Sequence, residues 1–221
     1  MNWRDAAYLI IGMFVGVILH EYMHGRIADL LGDHTARNAG RLTLNPVPHI
    51  DPFGTVILPV ALVLISRGSF LFGYAKPVPV NPYFMKKPKR DMLLVALAGP
   101  TTNFGVAVGF ALMGMVIHLA GVSTTTMTSQ GLVMTELYNF FYMAVVINIW
   151  LGIFNLLPIP PLDGSHVLEY FLSNEARVNY ERIAPFGFII MIAFFWLAGS
   201  AIFGALTPLF HLLGRMMGIP F

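Results

Sequence analysis

The sequence predicts a polytopic α-helical membrane protein of about five or six membrane segments, with a small membrane-associated β-sheet or re-entrant element beside a polar centre. Three observations predict it. Hydrophobic residues make up 57% of the 221 positions and charged ones only 11%, against about 25% charged in ordinary soluble domains. Most of the surface therefore has lipid as its solvent. The apolar residues fall into blocks near the roughly 20 that a helix needs to cross a hydrocarbon core. Polar residues gather in a few clusters between and within those blocks instead of being spread evenly. Cysteine is absent, which excludes disulfides, thiolate metal ligands and cysteine nucleophiles.

In chain order, the first block runs from about Ala6 to Leu31. Arg4 before it is offset by Asp5 and no small-residue cleavage pattern follows, so it reads as a retained helix and not a signal peptide. A polar Gly/Asn/Pro-rich stretch, 32–54, leads to an apolar run, Thr55–Ser66, too short to span. The segment Gly73–Pro82, with alternating prolines, forbids helix and predicts an extended edge segment; Arg41–Asn45 is strand-like as well. Lys86, Lys87, Lys89 and Arg90 precede a long span, about Met92–Ala120. A Ser/Thr linker without Lys or Arg, Val122–Gln130, joins it to the next span, about Leu132–Leu157, which stops at Pro158-Ile-Pro-Pro-Leu-Asp163-Gly164. The last block, from Phe186, is interrupted at Gly199 and near Pro208, predicting one span plus a partial one. Residues 1–221 thus read as a single integral-membrane domain, with a core over about 6–170 and hydrophobic segments over 183–221.

The Lys/Arg clusters should lie on the cytoplasmic side. Arg37, Arg41 and the Lys86–Arg90 cluster then share a side. Everything between them must enter and leave the membrane there, which predicts a polar cavity open to the cytoplasm. The basic cluster reads as an anchor on anionic headgroups, not as a nucleic-acid site.

Chemistry concentrates in His20-Glu21-Tyr22-Met23-His24. Residues four apart on a helix share a face, so both imidazoles can grip one zinc ion. Glu21 lies beside them, placed to take a proton from an attacking water. In a chain of this composition the pattern arises by chance about 0.005 times. It also sits where ionisable groups are costly. Two histidines leave zinc needing a further protein ligand. Asp163, where prolines break the helix, is one choice; it would alternatively cap a helix beginning at Ser165. Asp33, Asp51, His49 and Glu136 are the other candidates.

These pieces resemble the site-2 proteases, membrane-embedded metalloproteases of regulated intramembrane proteolysis. The resemblance rests on His20–Gly25, Gly32–Ala36, Gly40–Pro46, His49–Gly54, Ala98-Gly99-Pro100 with Asn103, and Asn155–Gly164, in family order over most of the chain. No inserted PDZ domain and no CBS appendage interrupts them, so the chain resembles a minimal form. The resemblance implies that His20, His24 and Asp163 bind one catalytic Zn2+ and that Glu21 is the general base. It also implies that Asn155 lies near the metal, where it steadies an oxyanion, positions substrate, or instead makes an interhelical hydrogen bond. Gly99, Pro100 and Asn103 read as packing residues. His34 and His49 read as bonded to loop backbone or to a zinc ligand, and His166 as a neighbour of Asp163 that could orient it.

The expected reaction is peptide-bond hydrolysis in single-span membrane proteins. Such a substrate must be unwound, and backbone pairing to it is expected from Lys76, Val78, Val80 and Asn81 of the extended segment Lys76–Pro82, or from the strand-like Arg41–Asn45. The expected location is a prokaryotic cell (inner) membrane, multi-pass, with the site toward the cytoplasm. Two other classes fit some of the same residues. An intramembrane metal-ion transporter would tolerate loss of Glu21, and a catalytically silent scaffold would not need it.

Overall fold

The computed structural model describes residues 3–65, 73–119 and 129–218. The chain divides into two compact units, Val17–Gly99 and Met1–Gly16 with Pro100–Phe221. Helices α1 (Trp3–Leu30) and α4 (Pro88–Leu119) each contribute to both. Most of the expected Ser/Thr linker, 122–128, and Ser66 at the end of the short apolar run lie outside the described residues.

In the Val17–Gly99 unit, α1 ends in a Schellman turn. Gly32 adopts φ +107°, a conformation that costs a residue without Cβ little. The turn is closed by the Asp33 N–H to the Ala28 carbonyl (2.9 Å) and the Gly32 N–H to Asp29. A single turn, α2 (Thr35–Asn38), follows. Beyond it, Pro52–Ile57 forms a wide π-helical turn continued by α3 (Leu58–Ile65). Fourteen residues at 1.5 Å each make about 20 Å, short of a span. Residues 73–81 are extended, Pro82–Phe84 makes one tight turn, and α4 begins at Pro88. Ala28, Met85 and Val95 form the core here, with Val80 packed against them.

Among the described residues there is no β-strand, which corrects the expected β-sheet. The reason is where the backbone groups go. Pro77 and Pro79 have no N–H. Arg41 donates to the carbonyl of Lys76 (2.7 Å), and Asp33 accepts from the N–H of Asn81 (2.6 Å). The Lys76 N–H reaches the His49 carbonyl at 2.9 Å. Side chains thus take up much of what a ladder would use. Arg41–Asn45 is no strand either, because Thr43 and Asn45 turn their oxygens onto the N–H groups of Asn45 and Val47.

The second unit holds α1 to Gly16, α4 from Pro100, α5 (Ser129–Asn155), α6 (Asp163–Phe171), α7 (Asn174–Glu181) and α8 (Gly187–Met216). Its core is Ala107, Phe141, Val145, Ile149, Phe210 and Met217. Within it α1 meets α5 closely: a Cβ on Gly12 would stand 2.8 Å from the Ala144 Cα. One turn on, fully buried Asn148 donates to the carbonyls of Gly12 (3.1 Å) and Ala144 (2.8 Å) and accepts from Asn103 (3.1 Å). Small residues let backbones approach, and polar ones then bond across helices where no water can. At the far end Glu136 takes Arg4 and Tyr8.

The expected break in the last block does not occur, since α8 is one helix with Pro208 inside it. Proline frees one helical carbonyl, but a full break in lipid would free several, so the helix continues. Four helices among the described residues are long and apolar enough to cross a membrane, fewer than the five or six segments expected. Many of their large apolar side chains point outward, Trp196 at 86% exposure among them. That is unfavourable in water and ordinary against lipid.

Substituting alanine at Gly12 forces overpacking, so the expected loss of stability is about 1–3 kcal/mol. At Gly105, where an added Cβ meets nothing within 4 Å, alanine should be neutral or gain up to about 1 kcal/mol through helix propensity. Unfolding midpoints of the two variants in detergent check the contrast.

Candidate active site

His20, Glu21 and His24 lie in the half of α1 that belongs to the Val17–Gly99 unit, and both histidines are buried. Their spacing of four brings the Nε2 atoms within 2.9 Å, the rings near-perpendicular at 85°. His24 Nδ1 donates to the Val95 carbonyl on α4 at 2.7 Å. A carbonyl only accepts, so Nδ1 carries a proton; in the neutral tautomer this leaves Nε2 with its lone pair. Two nitrogens at tetrahedral zinc, with bonds of about 2.0–2.1 Å, stand about 3.3–3.4 Å apart. The pair therefore fits zinc after opening by a few tenths of an ångström.

Gly99, one turn beyond Val95, makes the space. A Cβ there would lie 2.4 Å from His24 Nε2 and 2.5 Å from His20 Nε2. Its role is to leave the ring nitrogens room, beyond the packing role expected of it. Glu21 projects to the side, where Oε2 accepts from the Val78 N–H at 2.8 Å. Base candidate and extended segment are thus directly linked.

The remaining expected residues fall as follows. Val78 is 7% exposed and its side chain faces Gly25, where a Cβ would meet Val78 Cγ1 at 2.9 Å. Val80 packs into the core, and Asn81 Oδ1 accepts from the Tyr83 N–H. Only Lys76 presents an exposed side chain among the four. The Val78 side chain is buried, and those of Val80 and Asn81 are half-buried. Asp33 accepts from Thr35 and Asn81, Asp51 from the Gly54 N–H, and His49 Nε2 bonds the Thr43 carbonyl (3.0 Å). His34 bonds Asp29. These candidates are engaged locally, as is Glu136 with Arg4 and Tyr8.

Asp163 is in the other unit, as the first residue of α6. The helix starts there, with Leu162 at its N-cap, so Asp163 is no cap for a helix beginning at Ser165. Gly164 is required by close approach, because a Cβ would strike the carbonyl oxygens of Leu156 at 2.2 Å and Leu157 at 2.4 Å. Asn155 donates to the Leu151 carbonyl (3.0 Å) within its own helix, not between helices. His166 is exposed and pairs through Nδ1 with Glu169 three residues on, on the same helix face.

Paired imidazoles and a carboxylate on a membrane-length helix are compatible with a metal-dependent hydrolase of the bilayer. Residues 8–198 match the profile of Peptidase family M50. YwhC of Bacillus subtilis is 39% identical over 189 residues, covering 85% of this chain and 80% of its own length. Rip2 of Mycobacterium tuberculosis is 30% identical over 191 residues, covering 85% of this chain and 66% of its own length. Rip2 of Mycolicibacterium smegmatis is 29% identical, covering 83% of this chain and 64% of its own. This chain thus spans a little under two thirds of each Rip2 protein. All three carry "zinc metalloprotease" in their names. No solved structure matches the chain. The chain belongs to peptidase family M50, as the resemblance to site-2 proteases implied. It is an integral-membrane metalloprotease with Zn2+ as cofactor.

Gly99→Ala should weaken zinc retention by about 10–100-fold, the range for disturbed metal surroundings. Metal content after dialysis against graded chelator measures it; full retention would show that Gly99 leaves no necessary space.

Proposed function

We propose that this protein hydrolyses peptide bonds of single-span membrane proteins within or at the edge of the bilayer, with its site toward the cytoplasm of a prokaryotic cell. The observation that carries the reading is the pair of convergent imidazole nitrogens with Glu21 alongside, on an apolar helix of 28 residues. In this reading His20, His24 and Asp163 hold the zinc. Support for Asp163 comes from its place after the Pro158–Leu162 break and from the family match running through it. What the metal supplies when bound is Lewis acidity toward a carbonyl oxygen and a water. Residues 1–221 act together as a single membrane domain in this account.

The work of the chain's own residues is to orient and to move protons. Glu21 takes the proton of the attacking water and returns it to the leaving amine. Asn155 has a second amide N–H beyond the one bonded to Leu151; turned to a substrate, it steadies carbonyl charge. A helical substrate has its carbonyls tied up and must be held extended. Lys76–Asn81 offers the template, and the Val80 N–H takes no partner among the described residues. Prolines on both sides of Val78 limit where pairing can start. The basic residues 86–90 fix this face at anionic headgroups.

Glu21→Gln should retain zinc and lose cleavage by about 10²–10⁴-fold, the usual weight of a general base. Cleavage of reconstituted single-span proteins, with metal content measured in parallel, checks it. Undiminished cleavage by the variant would contradict the general-base role of Glu21, and metal flux across sealed vesicles by the variant would count for the transporter instead. Removal of zinc by chelation should abolish cleavage in the unaltered chain, and added Zn2+ should restore it; activity that survives a verified loss of metal contradicts the reading.

A further inference from the structure

Arg41 is a buried cation, 9% exposed, and among the described residues no carboxylate pairs with it. Burying a guanidinium without an acid is costly unless its N–H groups are bonded. Its Nη2 donates to two successive carbonyls, Lys76 at 2.7 Å and Pro77 at 3.3 Å, while Nε is buried without a hydrogen-bond partner among the described residues. The Pro77 carbonyl belongs to the same peptide group as the Val78 N–H, and that N–H donates to Glu21 at 2.8 Å. A peptide group is planar, so Arg41 and Glu21 grip opposite edges of one rigid plate. A guanidinium donor at one end and a carboxyl acceptor at the other polarise the amide and strengthen each bond.

Neighbouring bonds hold the plate in place. The Lys76 N–H is fixed to the His49 carbonyl and the Asn81 N–H to Asp33. Val78 is wedged against Gly25, on the same helix as Glu21 and one turn further along. Glutamate has three side-chain torsions to lose. A fixed donor at Oε2 removes most of that freedom before substrate arrives and sets where the other oxygen points.

We infer that Arg41 is a positioning residue for Glu21, acting through the Pro77–Val78 peptide group. The inference rests on Glu21 being the general base. It assigns the guanidinium a part in turnover although nothing places it against a substrate.

The test is a double-mutant cycle on the full chain, assayed with a designed single-span peptide selected for cleavage by the unaltered protein. Proline at 78 removes the N–H in a segment already extended and proline-rich, while V78A keeps it. R41Q and V78P should each lower kcat by about 10–100-fold, with KM within about twofold and zinc content unchanged. Because both act through one peptide, the double variant should be no worse than the worse single variant. R41K should recover part of the loss, and V78A should turn over at least about tenfold faster than V78P. Multiplying effects, a loss carried by KM, or loss of zinc in R41Q and V78P would each overturn the inference. E21Q separates the two ideas. If it cleaves normally the general-base reading fails; if it is inactive while V78P cleaves normally, only the inference fails.

Discussion

The hydrogen bond from His24 Nδ1 to the Val95 carbonyl is the contact on which the rest depends. It settles which nitrogen carries the proton, and so aims the other lone pair at the point His20 also faces. A free imidazole would choose between tautomers and rotate. Here α4 removes both freedoms and, with Gly99, leaves space where the two nitrogens converge. A hydrogen bond to a helix carbonyl and a missing side chain thus set the two imidazoles for a shared ligand.

The membrane explains how polar groups are handled elsewhere. With no water to accept an orphaned bond, several buried polar side chains are tied to backbone or to each other. Asn148 spans two carbonyls and Asn103. Asp33 ties the turn after α1 to the extended segment, and Arg41 ties residues 76 and 77. The Val17–Gly99 unit is organised by these charged side chains reaching backbone, much more than by its small core of Ala28, Met85 and Val95.

Sequence reasoning reached the helix of His20–His24, the extended course of residues 73–81 and the long apolar helices, because each has a local signal: spacing, alternating proline, or length. It expected a β-sheet because extended chain and strand look alike until a partner is known, and here the partners are Arg41, Asp33 and Glu21. It expected a break near Pro208 because local propensity takes no account of what a break costs in lipid. It gave Gly99 a packing role and did not single out Val95. A backbone carbonyl carries no residue-type signal, although a glycine directly before Pro100 in an apolar span was a usable one. Arg41 was read as part of a charge bias, a motif and a strand-like segment; its bonds lie 35 and 36 residues away along the chain.

X-ray absorption at the zinc edge on purified protein tests the central claim most directly. One zinc per chain, with two imidazole nitrogens at about 2.0–2.1 Å and oxygen completing a four-coordinate shell, is the result the paired histidines require. A metal held by oxygen alone, or a purified active protein with no zinc, would contradict it.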